Sequence, residues 1–283
     1  MIKPYLYILF PAFLSCAAKK NDFKTPPGYD LNKPQKFTVP DELNEISGIS
    51  FYRGRSDTLY AEQDEKGELF YLHLGDKKAG HVKFGRKGDY EDVAIINEQV
   101  VLLRSDGTLF SFPFNEIHQE EIMDAKEWNG LLPGGEFEGL CADAQNKQLY
   151  VLCKHCSNDE TTKATTAYIL QLQPGGNITQ NGSASISVKA IEKLTNEKKF
   201  KFHPSALARN QKTGLWYILS AVNKMLVVAD NDWNVQEVYP LNPAIFRQPE
   251  GIAFDNENNL YISNEGDDVS KGNVLKFVFK TNN

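Results

Sequence analysis

The sequence predicts an all-β chain folded as a five-bladed β-propeller of antiparallel meanders. Three observations carry that expectation. A short phrase with a small-apolar-small ending recurs five times, each copy leads through a turn into further apolar strands, and the last repeat is one strand short while a spare strand precedes the first.

The phrase reads Glu45-Ile-Ser-Gly-Ile-Ser50, Glu91-Asp-Val-Ala94, Glu138-Gly-Leu-Cys141, Ser205-Ala-Leu-Ala208 and Glu250-Gly-Ile-Ala253. Aligned on that ending, Ser47, Glu91, Glu138, Ser205 and Glu250 are equivalent, at intervals of 44, 47, 67 and 45 residues that suit propeller blades. Turns rich in Gly, Asn and Asp, such as Asp255-Asn-Glu-Asn258 and Asn210-Gln-Lys-Thr-Gly214, then return the chain. Second strands follow at Thr58-Leu-Tyr60, Gln99-Val-Val101, Gln148-Leu-Tyr150, Leu215-Trp-Tyr217 and Asn259-Leu-Tyr261. Third strands are expected at residues 68–72, 108–112, 168–172, 225–228 and 274–277.

Such a meander cannot bury both faces alone, so the units stack around an axis. Lys36-Phe-Thr-Val39 is placed to complete the last blade, closing the ring and removing two exposed sheet edges. Six blades is the alternative count. The long interval of 67 holds two insertions, residues 157–167 and 175 to about 201, expected as surface loops on the third blade. Their basic run of Lys193, Lys198, Lys199 and Lys201 reads as a solvated face.

With 283 residues, 41% of them hydrophobic, the chain can bury a substantial core. Its 31 Lys and Arg against 37 Asp and Glu leave a formal charge of -6, so it has no global electrostatic pull on nucleic acid. Met1 to Cys16 reads MIKPYLYILFPAFLSC, an apolar run with the length of a signal-peptide core and too short to span a bilayer. It resembles a bacterial lipoprotein signal, although Phe13 departs from the usual aliphatic residue. The expected organisation is a signal over residues 1–15, a lipidated Cys16 opening an unstructured tether to residue 34, and one propeller domain over 35–283. The expected address is the bacterial envelope, the outer membrane ahead of the inner one, with the domain in the periplasm or at the cell surface.

The phrases Glu136-Phe-Glu-Gly-Leu140, Phe202-His-Pro-Ser-Ala206 and Gln248-Pro-Glu-Gly-Ile-Ala-Phe254, followed by Leu260-Tyr-Ile-Ser-Asn-Glu-Gly266, closely resemble the SdiA-regulated domain family of bacterial envelope proteins. The likeness runs from about Phe37 to Phe279. It implies a periplasmic or lipid-anchored five-bladed propeller, with members linked to calcium regulation and compared with phytase-like propellers, and it implies no settled activity.

In a propeller the first strand of each blade lines the central channel, so Glu91, Glu138 and Glu250 form a ring with Ser47 and Ser205, and Glu45, Asp92 and His203 stand nearby. Facing carboxylates raise one another's pKa unless something neutralises them. Calcium, a cation that takes six to eight oxygen ligands, is one compensator, held by Glu91, Glu138 and Glu250. Arg104 and Lys154, pairing with Glu91 and Glu138, are the other. A third arrangement has the glutamates accepting backbone N–H groups and simply holding the ring together. Residues after the second strands, among them Glu62, Asp64, Arg104, Lys154, His155 and Glu265, form a second layer toward one mouth, as a site for a polar ligand requires.

Cys153-Lys-His-Cys156 is a lone CxxC, for which a local disulfide is the simplest chemistry in an oxidising envelope, and Cys141 is expected as a small buried residue. No GxSxG, HExxH or P-loop is present, and the five histidines show no metal spacing. Glycan binding would rest on scattered aromatics such as Trp128, Trp216 and Trp233. The expected function is a non-catalytic module binding a small ligand, a cation or an envelope protein through the channel mouth. The alternative is a calcium-dependent, phytase-like or lactonase-like hydrolase.

Overall fold

The computed structural model describes residues 23–197 and 200–281. The signal segment and Cys16 lie outside the described residues. After a first strand β1 (Gln35–Thr38), five repeats follow. Blade one is β2 (Ile46–Ser50), β3 (Leu59–Gln63), β4 (Glu68–Leu72) and β5 (Gly80–Lys83); blade two is β6 (Tyr90–Ile96), β7 (Gln99–Arg104), β8 (Leu109–Pro113) and β9 (Lys126–Trp128). Blade three is β10 (Gly135–Asp143), β11 (Gln148–Cys156), β12 (Ala164–Leu172) and β13 (Ile178–Ser187); blade four is β14 (Ala206–Arg209), β15 (Trp216–Ser220), β16 (Met225–Ala229) and β17 (Val235–Pro240). Blade five is β18 (Pro249–Phe254), β19 (Leu260–Asn264), β20 (Asn273–Phe277) and, on its outer edge, β1.

All pairings within the blades are antiparallel, and β1 runs against β20 from Gln35 opposite Lys276 to Thr38 opposite Asn273. The fold is therefore a five-bladed β-propeller whose N-terminal strand closes the last blade. First strands touch in the order β2, β6, β10, β14, β18 and back to β2.

The five apolar clusters of the core correspond to the five interfaces between adjacent blades. One example sets Tyr217, Leu226 and Tyr239 of blade four against Ile252, Leu260 and Phe277 of blade five. Another sets Tyr60 and Leu69 of blade one against Val93, Val100 and Phe112 of blade two. Burial of apolar surface between sheets, rather than within any one of them, holds the ring together. The recurrent glycine of the phrase lets inner strands approach: a Cβ on Gly48 would lie 2.2 Å from an Asp92 oxygen, and one on Gly251 would lie 2.4 Å from the Ser47 carbonyl.

Polar links cross the same interfaces. Ser47 Oγ donates to the Glu91 carbonyl at 3.0 Å, Ser205 Oγ to the Pro249 carbonyl at 2.7 Å and Ser263 Oγ to the Ser47 carbonyl at 2.6 Å. Asp92 accepts the Leu140 N–H at 2.6 Å, and Arg209 pairs with Asp143 at 2.5 Å. Each interface thus has one such link near the axis.

Two expectations are corrected. The stretch read as a free tether to residue 34 is docked in its described part, because Tyr29 and Leu31 have an apolar pocket to fill. Both are buried against blades four and five, and the Tyr29 hydroxyl donates to the Asn258 carbonyl at 2.8 Å. The insertions read as loops also carry regular structure. The first holds one short helical turn, α1 (Asp159–Thr162), and the second supplies the fourth strand β13 and a helix α2 (Val188–Thr195), whose Val188 and Ile191 are buried against the blade three to four interface. No helix among the described residues is long and apolar enough to cross a membrane.

Candidate functional site

The equivalent position at the head of each first strand splits into two chemistries. Ser47 and Ser205 are the blade-linking donors just described, so their hydroxyls are committed to the scaffold. Glu91, Glu138 and Glu250 are not, since none of the three accepts a backbone N–H among the described residues. The carboxylate that holds the ring together is Asp92, one residue along, with the N–H groups of Val93 and Leu140 on its two oxygens. Glu62 takes the Gly48 N–H at 2.6 Å on one oxygen, and its other oxygen is buried without a partner.

Around these lie more acids than bases. Glu45 and Asp64 from blade one, Glu91 from two, Glu138 from three, and Glu250 and Glu265 from five crowd together closely enough for charge to act between neighbours. Burial, then the charges of Glu138, Asp89 and Glu62, pushes Glu91 up to about 10. Burial followed by Glu138 and Glu265 pushes Glu250 up to about 8. Glu265 rises to about 7 through burial and then Asp64 and Glu45, and Asp64 rises to about 6 through burial and then Glu45. Glu62 and Asp92, wholly enclosed, are pushed well above the ordinary carboxylate range by burial, against the N–H donors they hold. Each charge lacks solvent and faces like charges, so the cluster stores a demand for a cation.

One base answers part of that demand. Lys154, at the end of β11, is hydrogen-bonded to Glu138 and lies 3.1 Å from Glu136. Burial alone would favour its neutral form, but the two carboxylates more than offset this and hold it protonated. Two further side chains organise the rim: Gln63 donates to Glu45 at 2.8 Å and Gln248 to Glu265 at 2.7 Å.

The predicted set is therefore brought together only in part. Glu45, Ser47, Asp64, Glu91, Glu138, Lys154, Ser205, Glu250 and Glu265 gather at one end of the channel. Arg104 does not join them. It turns to Asp106, at 3.0 and 2.8 Å, and holds that carboxyl down to about 2, because a partner two residues away in its own hairpin costs less chain entropy than a reach to Glu91. His203 also stands apart, its ring 4.8 Å from that of His155 in a cavity beside the channel. Glu136 and Asp89 complete the electrostatics of the mouth and were not singled out by the repeat alignment; Glu136 stands two residues before Glu138 in β10, and that offset was the available signal.

Cys153 and Cys156 form a disulfide at the end of β11, and Cys141 is the free thiol among the described residues, pushed up to about 12 by burial. Trp216 and Trp233 are buried and stacked on each other at 4.1 Å, so neither offers a platform for a sugar.

A family model described as SdiA-regulated matches residues 25–267. The chain belongs to the SdiA-regulated family. No curated protein sequence matches this SdiA-regulated protein. Among solved structures it is similar to the glutaminyl cyclase of Myxococcus xanthus, with a TM-score of 0.57 and 14% identity over 88% of this chain and 96% of that one. A luciferin-regenerating enzyme gives a TM-score of 0.55 at 11% identity, over 87% and 95% of the two chains. A regucalcin of Agrobacterium tumefaciens, titled a calcium-binding protein, gives 0.52 at 14% identity, over 89% and 93%. At these identities the likeness is one of fold.

Proposed function

We propose that this SdiA-regulated protein is a non-catalytic, lipid-anchored propeller of the bacterial envelope that binds a hard divalent cation, calcium, at the acidic end of its channel. The observation that carries the reading is the deficit of donors there: six carboxylates from four blades crowd together, and Lys154 is the base that pairs with one of them. Oxygen-only ligands from several blades suit calcium, which takes six to eight oxygens in flexible geometry. Glu91, Glu250 and the Glu138 oxygen turned from Lys154 would close on it from three blades, and Glu62 and Asp64 each have a further oxygen that is buried without a partner. A cation there would let the raised carboxyls ionise. The regucalcin supports only the point that a propeller can serve such a role.

Titration calorimetry of the mature chain with calcium chloride tests the site. We expect about one equivalent to bind, and Glu138→Gln and Glu250→Gln each to weaken binding tenfold or more, about 1.4 kcal/mol. No heat from the unmodified chain, or binding by both variants as tight as that of the unmodified chain, would remove the calcium reading.

The address rests on the lipoprotein-like segment ending at Cys16 and is supported by the Cys153–Cys156 disulfide, a bond that persists in oxidising compartments. Labelled palmitate fed to producing bacteria should enter the wild-type chain and not Cys16→Ala. Unlabelled wild-type protein would refute the anchor.

A further inference from the structure

Beside the acidic mouth, the third blade's insertions enclose a cavity of about 510 Å³ that reaches the fourth blade, with Val188, Phe200 and Phe202 among its walls. One half of the disulfide belongs to that wall. Cys156 lines the cavity, whereas Cys153 does not and is wholly enclosed, at 0% exposure against 7% for Cys156. A disulfide is cleaved by a thiolate that reaches one of its two sulfurs, so access decides which sulfur is attacked and which one leaves. Here access is one-sided.

The leaving sulfur is also provided for. Cys153 Sγ lies 3.5 Å from the Glu136 carbonyl, an acceptor for the S–H that would form there. The acids of the wall are already engaged. Asp159, whose carboxylate lies within 4.8 Å of both sulfurs, accepts the Thr166 N–H at 3.0 Å and the Thr166 hydroxyl at 2.6 Å, and Glu160 pairs with Lys201 at 2.5 Å. Lys163 lines the cavity too and is 3.9 Å from its partner Glu192, a loose pair that leaves positive charge to attract an anionic thiolate.

We propose that the Cys153–Cys156 bond is a thiol-exchange site, at which a small thiol admitted to the cavity forms a mixed disulfide with Cys156. The thiol ionises and its thiolate attacks Cys156 Sγ. The bond to Cys153 breaks with its electron pair on Cys153, which takes up the proton that the thiol released. One S–S bond forms for the one that breaks, and the incoming thiol is the reductant. Cys153 stays beside the mixed disulfide, and its return attack expels the thiol, so the modification is reversible.

The folded mature chain is incubated with millimolar reduced glutathione as the probe, quenched with N-ethylmaleimide in acidic guanidinium and cleaved with trypsin. Lys154 stands between the two cysteines, so they fall on separate peptides. Glutathione should be found on Cys156 and maleimide on Cys153, with adducts on Cys156 exceeding those on Cys153 about tenfold or more. Two variants give an independent measurement. The Cys156 thiol of Cys153→Ser should react with a chromogenic aromatic disulfide about tenfold or more faster than the Cys153 thiol of Cys156→Ser, over the same slow background from buried Cys141. Three results would overturn the proposal: a disulfide that stays intact in the folded chain while the same thiol opens it in the unfolded chain, adducts spread equally over both cysteines as unfolding would produce, or equal reactivity of the two variants.

Discussion

The two ends of the channel are built from the same five strands and handle carboxylates in opposite ways. At the end where first and second strands are joined by hairpins, Asp255 accepts the N–H groups of Glu257 and Asn259, the Asn259 amide and the Tyr261 hydroxyl, all at 3.0 Å or less. Burial opposes its charge, yet these donors bring its pKa below the ordinary value. Asp143 is saturated in the same way by Gln145, Asn146 and Arg209. The walls between such turns are apolar, with Ile49, Leu140 and Ile252 among them. At the other end Glu91 and Glu250 have no backbone donors and are raised to about 10 and about 8. In this scaffold, carboxylates that maintain the fold are furnished with donors, and those left without donors point to a binding role.

The sharpest way to break that distinction is to remove one acid of each kind. Asp255→Ala should cost about 3 kcal/mol, because four donors lose a charged acceptor, and lower Tm by roughly 6 to 12 °C. Glu250→Ala should cost nothing and raise Tm slightly at pH 8 in the absence of calcium. Differential scanning calorimetry of both variants decides it: equal losses would mean that the acidic end is structural after all.

A smaller effect is expected from pH. Glu250, Glu265 and Asp64 titrate higher in the folded chain, at about 8, 7 and 6, than in the unfolded one, near 4. Above the unfolded values the unfolded chain has already released protons that the folded chain retains. Stability from these groups is therefore fully present below about pH 4 and is lost as pH rises through 6 to 8. Calcium-free protein should lose Tm progressively between about pH 5 and about pH 8, and Glu250→Gln or added calcium should make that slope shallower. A Tm that rises steadily over this interval would contradict the raised carboxyls.

Much of this was legible in the repeat. A period near 45 residues with alternating strands and turns leaves stacking around an axis as the way to bury both faces of each meander, so the blade count, the closing strand and the ring position of Glu91, Glu138 and Glu250 follow from sequence. The docking of Tyr29 was hidden, because a single aromatic in a Pro- and Gly-rich stretch shows no periodicity. The choice between Ser47 as ligand and Ser47 as link was also hidden, since a hydroxyl serves either use equally well.

Sequence by itself determined the architecture, because hydrophobic spacing along the chain dictates which surfaces must be covered. Only the tertiary structure decided which polar groups are satisfied. It alone turned Arg104 away to Asp106, gave the ring-holding role to Asp92, and set His155 against His203. The physical reason is that hydrogen-bond and charge partners are chosen across blades, at distances of a few ångströms between residues tens of positions apart, and a linear pattern carries no record of which donors arrive.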